Sequence, residues 1–119
     1  MNVINSFKDL VVWQKSYNLC LRIYSITEKF PKSEQFNLIS QLRRCAVSIP
    51  SNIAEGSKRT TRKDYANFLS AAEGSLAELE TQLLISKDLK LIEEKDFKEV
   101  AILITETGKM LHVMVSKLC

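Results

Sequence analysis

Leu38, Leu42, Cys45, Ile49 and Ile53 recur at steps of three and four, the spacing that gathers side chains on one face of a 3.6-residue helix. Gln41, Arg44, Ser48 and Glu55 follow one flank of that face as a polar line bordering a core. Pro50 sits inside the pattern. It lacks an N–H and its ring crowds the carbonyl of Ala46, yet the apolar period runs through it to Ile53 and Ala54. The stretch 33–56 therefore reads as one kinked helix, capped by Ser33, with Ser48, Ser51 and Asn52 near the backbone groups the kink frees. Gly56 suits the left-handed position that closes a helix.

Three further helices are expected, over about 7–30, 61–89 and 93–118. The first carries two apolar stripes: Leu10, Trp13, Tyr17, Cys20 and Tyr24, and Val12, Leu19, Ile23, Ile26 and Phe30. A helix packed on one side needs only one, so two stripes imply burial in a bundle and against another subunit. Pro31 ends this helix. Thr61 followed by Asp64 resembles a capping box for the third, whose seam is Tyr65, Leu69, Ala72, Leu76, Leu79 and Leu83. The small residues Ala71, Ala72, Gly74, Ser75 and Ala77 predict close approach by a neighbouring backbone. Glu93, Glu94 and Asp96 open the fourth helix, whose seam is Phe97, Val100, Ile104, Leu111, Met114 and Leu118. Four helices with short connections predict an all-α, up-down-up-down left-handed four-helix bundle filling one domain, residues 1–119.

The composition, 45% hydrophobic and 26% charged, is that of a folded globular chain. No apolar run approaches a membrane span, and the opening MNVINSFKDL has no signal-peptide core, so a cytoplasmic protein without a membrane role is expected. Cys20, Cys45 and Cys119 show neither CxxC nor Cys/His ligand spacing. His112, the only histidine, has no ligand or base partner in its own sequence neighbourhood. With no nucleophile–base pair and no glycine-rich phosphate loop, the expectation is a protein that is not an enzyme and needs neither cofactor nor metal.

The charge is uneven. Residues 1–63 hold eleven Lys/Arg against four Asp/Glu, and residues 64–119 hold six against ten. Oppositely charged helices pairing with one another would explain this, and so would a basic surface for polyanions. Lys58, Arg59, Arg62 and Lys63 cluster in a polar connection and helix start, which favours them for phosphate contact. Arg43 and Arg44 are open between nucleic-acid contact and structural pairing with Glu73, Glu78 or Glu80. Arg44 is the more structural candidate, because it flanks the seam.

FKDLVVWQKS at 7–16, FPKSEQFNLISQLRRCAVSIPSNIAEG at 30–56 and GSLAELETQL at 74–83 resemble the bacterial four-helix bundle family encoded in 23S rRNA intervening sequences. Within the middle motif, the resemblance implies a structural part for Gln41, Arg44, Ser48, Pro50, Asn52, Glu55 and Gly56. Members of this family are similar to the accessory protein of diversity-generating retroelements, which binds a reverse transcriptase and nucleic acid. The resemblance implies a ring-shaped homopentamer and a non-catalytic protein holding RNA or DNA by backbone charge, with Arg43 and the basic connection as contacts. The alternative is an adaptor or scaffold that binds protein partners only.

Overall fold

Ser6 opens the described part of the chain by capping a 3₁₀ turn, Phe7–Asp9, its hydroxyl accepting from the Lys8 amide at 3.2 Å. A computed structural model describes residues 6–119; the first five residues of the opening segment lie outside it. The first α-helix, α1, is Val11–Thr27, later in its start and earlier in its end than the apolar period predicts. Leu10 is extended (φ −74°, ψ 125°) and separates the 3₁₀ turn from the helix. At the other end, the Lys29 and Phe30 amides bond the Ile26 and Thr27 carbonyls in a tightening turn before Pro31.

The two stripes of α1 have different fates. Val12, Leu19, Ile23 and Ile26 are no more than 3% exposed, with Ser16 buried among them and donating to the Trp13 carbonyl. Trp13 and Cys20 on the other stripe are half-buried, and Tyr17 and Tyr24 are exposed.

The second helix departs from expectation at its start. Ser33 does not cap it. Lys32–Glu34 is a 3₁₀ turn and Gln35–Ile39 a π-helical turn, in which Asn37 sits at φ −124°, ψ −108°. Regular α2 runs Ser40–Ser57, and the Ser40 hydroxyl donates to the Asn37 carbonyl at 3.1 Å. A π turn inserts a residue and rotates the face that follows it. Hence Ile39, not Leu38, is the first buried residue, followed by Leu42, Cys45, Ile49 and Ile53. The helix continues through Pro50, as its apolar period requires.

Gly56 is not left-handed. No described glycine has positive φ, and α2 extends one residue beyond it. A Cβ at Gly56 would stand 2.9 Å from the Phe68 Cβ and the Tyr65 Cδ1, so its lack of a side chain lets α2 and α3 close together. Gly74 shows the reverse: it is exposed, with nothing within 4 Å of a built Cβ. The close approach expected there is absent among the described residues.

The third helix, α3, spans Arg62–Asp88, and Thr61 caps it by accepting from the Asp64 amide at 3.1 Å. Its seam from Leu69 to Leu83 is buried, with Tyr65 half-buried. The helix ends in a left-handed residue, Lys90 (φ 62°), where the Leu91 amide reaches the Ser86 carbonyl and the Lys90 amide the Lys87 carbonyl, a Schellman closure. The fourth helix, α4, is Glu94–Leu118 and buries Val100, Ile104, Thr107 and Leu111.

Consecutive helices pack side by side and α4 returns to α1, leaving α1 diagonal to α3. The described residues contain four α-helices and no strand, and the molecule measures 47 × 25 × 20 Å. No helix among them is long and apolar enough to cross a membrane. Part of the charge asymmetry resolves here. Lys15 pairs with Glu106 at 3.2 Å, and Arg22 and Lys29 both reach Asp96 at 3.3 Å. Arg22 Nε also lies 2.7 Å from Glu99, an ion pair rather than a well-directed hydrogen bond.

Candidate nucleic-acid interface

The connection between α2 and α3 is short because both helices run almost to it. The Lys58 and Arg59 amides turn back onto the Glu55 and Gly56 carbonyls, and Thr61 then starts α3. This geometry throws Lys58, Arg59, Arg62 and Lys63 outward at one end of the bundle, where all four are exposed. They are not equivalent. Arg59 lies over the Phe68 ring at 4.5 Å and reaches Glu55 at 3.5 Å. Arg62 donates to the Lys117 carbonyl at 2.7 Å, supplying one of the carbonyls that a helix C-terminus leaves unbonded. Lys58 and Lys63 make no ion pair among the described residues. Sequence reasoning missed that Lys117 joins this end, because the neighbourhood of the α4 terminus is set by topology.

Arg43 is not part of this cluster. It lies on α2, fifteen residues before Lys58, or about 22 Å along a helix axis. Its Nε donates to the Thr27 hydroxyl at 2.9 Å, its Nη2 to the Tyr24 carbonyl at 3.4 Å, and it pairs with Glu28 at 3.1 Å. The guanidinium also covers the Tyr24 ring at 4.6 Å. Those bonds tie α2 to α1.

Arg44 has the opposite fate from the one expected. It is exposed, and it makes no ion pair with Glu73, Glu78 or Glu80. Arg44 shares the α2 flank of Gln41 and Ser48, which contact Gln82 and Ser75 of α3, yet its side chain stays in solvent rather than bridging to those acids. Glu78 instead lies 3.8 Å from the Cys45 thiol, and Glu73 lies 3.9 Å from His112. His112 thus has a carboxylate neighbour that its own stretch of sequence did not reveal.

The remaining motif residues hold α2 against α3 or bond within α2. Gln41 accepts from Gln82 at 3.5 Å, and the Ser48 hydroxyl bonds that of Ser75. Asn52 donates to the Ser48 carbonyl at 2.8 Å, rather than to that of Ala46 beside the Pro50 ring, and Glu55 reaches Arg59.

Burial pushes the Cys45 thiol up from its ordinary pKa, and the Glu78 charge adds to the effect. Burial also raises Cys20. Such thiols stay protonated near neutrality and are poor nucleophiles. Among the described residues no group of three or more His, Cys, Asp or Glu is placed to hold a metal ion.

The profile described as 23S rRNA-intervening sequence protein matches residues 8–113. The chain belongs to that family. The match takes in the helices up to Val113 and the whole basic connection, so the Lys58–Lys63 cluster lies within the family's domain. A solved structure from Bacteroides thetaiotaomicron, described as a protein of unknown function from the S23 ribosomal protein family, superposes with a TM-score of 0.80. It is 26% identical, and the alignment covers 88% of this chain and 98% of that one. No curated protein matches the chain.

Proposed function

We propose that this member of the intervening-sequence family is a non-catalytic, self-associating protein that holds RNA or DNA by its phosphate backbone at the Lys58–Lys63 end. The observation that carries the reading is the unpaired state of Lys58 and Lys63 beside Arg59. Lys15, Arg22, Lys29 and Arg43 are paired with acids, while Lys32, Arg44, Lys90 and Lys95 are also without an ion pair among the described residues. What sets Lys58 and Lys63 apart is that Arg59 and Arg62 lie between them in six residues of sequence. Free, hydrated cations at one pole neutralise phosphates and release counterions, without reading base edges. Arg43 drops out of the contact set, because its donors are committed to α1.

The exposure of Tyr17 and Tyr24 on the second stripe of α1 supports self-association, and the family resemblance makes a pentameric ring the form to test. A ring of like-oriented copies would repeat the basic pole once per subunit. The sequence resemblance that links this family to the retroelement accessory protein makes a reverse transcriptase a partner to test.

Titration of labelled single-stranded RNA and DNA at two salt concentrations tests the proposal, with particle size measured on the same samples. Binding should weaken with a slope of about −0.7 per phosphate contact in log affinity against log salt. No binding at low salt would overturn the nucleic-acid reading. A protein-binding scaffold would then take its place, a reading favoured by the apolar groove of about 380 Å³ among Leu10, Val11, Met110 and Val113.

A further inference from the structure

Phe68, in the second turn of α3, is half-buried, and its Cβ lies 2.9 Å from where a Gly56 Cβ would stand. The bare backbone of Gly56 thus seats Phe68 against the last turn of α2, and Tyr65 packs on the same glycine. Arg59 folds back over this ring, its Cζ 4.5 Å from the ring centroid. Its Nη2 donates to Glu55 at 3.5 Å. A guanidinium makes its hydrogen bonds in its own plane and stacks through its faces. The Glu55 bond therefore holds one edge and leaves both faces for stacking. Phe68 takes the inner face. The outer face belongs to a side chain still 45% exposed.

This sets Arg59 apart from the cations around it. Lys58 and Lys63 are exposed ammonium groups, point charges without a plane. Two other cations lie over rings among the described residues, and neither offers the same thing. Arg43, over Tyr24, has its donors committed to α1, and Lys87, over Phe97, has no planar group to stack on. Only at the α2–α3 connection does a ring-backed guanidinium stand among cations that attract phosphate. Residues 55–64 hold four such cations against two acids, Glu55 and Asp64, so the local field still favours a polyanion.

We infer that the basic pole takes single-stranded nucleic acid, an unpaired base stacking on the outer face of Arg59 to make three layers: base, guanidinium, Phe68. The inference rests on the phosphate-binding reading above and names the form of nucleic acid that the pole selects. Lys58 and Lys63 hold the flanking phosphates. Unpaired bases can splay out and stack on an arginine plane, whereas a base inside a duplex has both faces covered by its neighbours. Every base has a π face, so the stack is indifferent to sequence and to RNA against DNA.

The probes are a labelled single-stranded DNA of about 12 nucleotides and the same backbone with abasic sites in place of its bases. Each is titrated with the full chain at low salt. The two strands carry the same phosphates, so the ratio of their affinities reads the bases. The wild type should prefer the base-bearing strand roughly tenfold. Arg59→Lys keeps the charge and loses the plane, and should bring the two strands to within about twofold of each other. Phe68→Leu keeps every cation, removes the supporting ring and should lower the preference roughly threefold. Its fold is checked by circular dichroism melting; Arg59→Lys, at an exposed position, decides alone if that variant melts early. Equal affinity of the wild type for the two strands, or a preference that survives Arg59→Lys, overturns the stack and leaves phosphate contact standing. Binding of neither strand at low salt removes both readings.

Discussion

The two ends of the bundle handle charge in opposite ways. At the end formed by the α2–α3 connection, the chain turns in a few residues and leaves Lys58 and Lys63 unpaired. At the other end, Glu28 to Ile39 winds through a 3₁₀ turn and a π turn. Three cations there brace neighbouring helices, Lys29 on Asp96, Arg22 on Asp96 and Glu99, Arg43 on Glu28, while Lys32, Lys90 and Lys95 make no ion pair among the described residues. Both ends hold several lysines and arginines. What separates them is that acids from neighbouring elements brace cations at the second end, whereas at the connection the one ion pair among the described residues, Arg59 with Glu55, joins residues four apart. Counting basic residues along the sequence cannot distinguish the two.

The largest expected effect lies in the joint that supports the basic pole. Gly56→Val places atoms where Phe68 and Tyr65 already stand, and overpacking there should cost about 3 kcal/mol, read as a lowered denaturant midpoint. A variant as stable as the wild type would show that α2 and α3 can part without loss.

Next in size, and the sharpest test of the two ends, is charge reversal. Lys58→Glu with Lys63→Glu should weaken RNA binding roughly tenfold or more at low salt while leaving the melting curve unchanged. Lys29→Glu at the far end should do the opposite, because it removes a partner of Asp96 but touches no proposed phosphate contact. Equal loss of binding from both would erase the distinction between the ends.

Arg43→Ala should destabilise by about 1–2 kcal/mol through its lost bonds to Thr27, Tyr24 and Glu28, whereas Arg44→Ala should change stability by less than about 0.5 kcal/mol. Paired urea titrations of the two variants decide it, and a reversed order would restore the structural part first expected of Arg44.

The smallest effect is a gain. Lys90 holds a left-handed conformation that costs a residue with a Cβ about 1 kcal/mol, so Lys90→Gly should raise stability by nearly that amount. An unchanged midpoint would mean that the α3–α4 turn relaxes in another way.

The sequence made α3 and α4 legible nearly to the residue, because Thr61 is a strong cap and the leucine and isoleucine seams keep one period. The start of α2 was not legible. A π turn leaves no compositional mark, and a one-residue shift from Leu38 to Ile39 still looks periodic. The glycines misled for a related reason. Gly56 ends an apolar run and so resembles a cap, but its role is set by Phe68 and Tyr65 on another helix. Gly74 sits among small residues and so resembles a contact, yet nothing among the described residues comes within 4 Å of a Cβ built there. The basic pole was visible as a cluster, while the split between free and committed cations depended on which helix ends meet.

Arg62 carries a consequence for how the basic pole would respond to load. Its guanidinium fastens the last turn of α4 through the Lys117 carbonyl, so a phosphate that recruits Arg62 must compete with that carbonyl. Occupancy at the pole and order in the last turn of α4 are then thermodynamically linked. Amide hydrogen exchange near residues 115–118 would quicken as the pole fills, making the C-terminal turn a reporter of events at a connection fifty-five residues earlier in the chain.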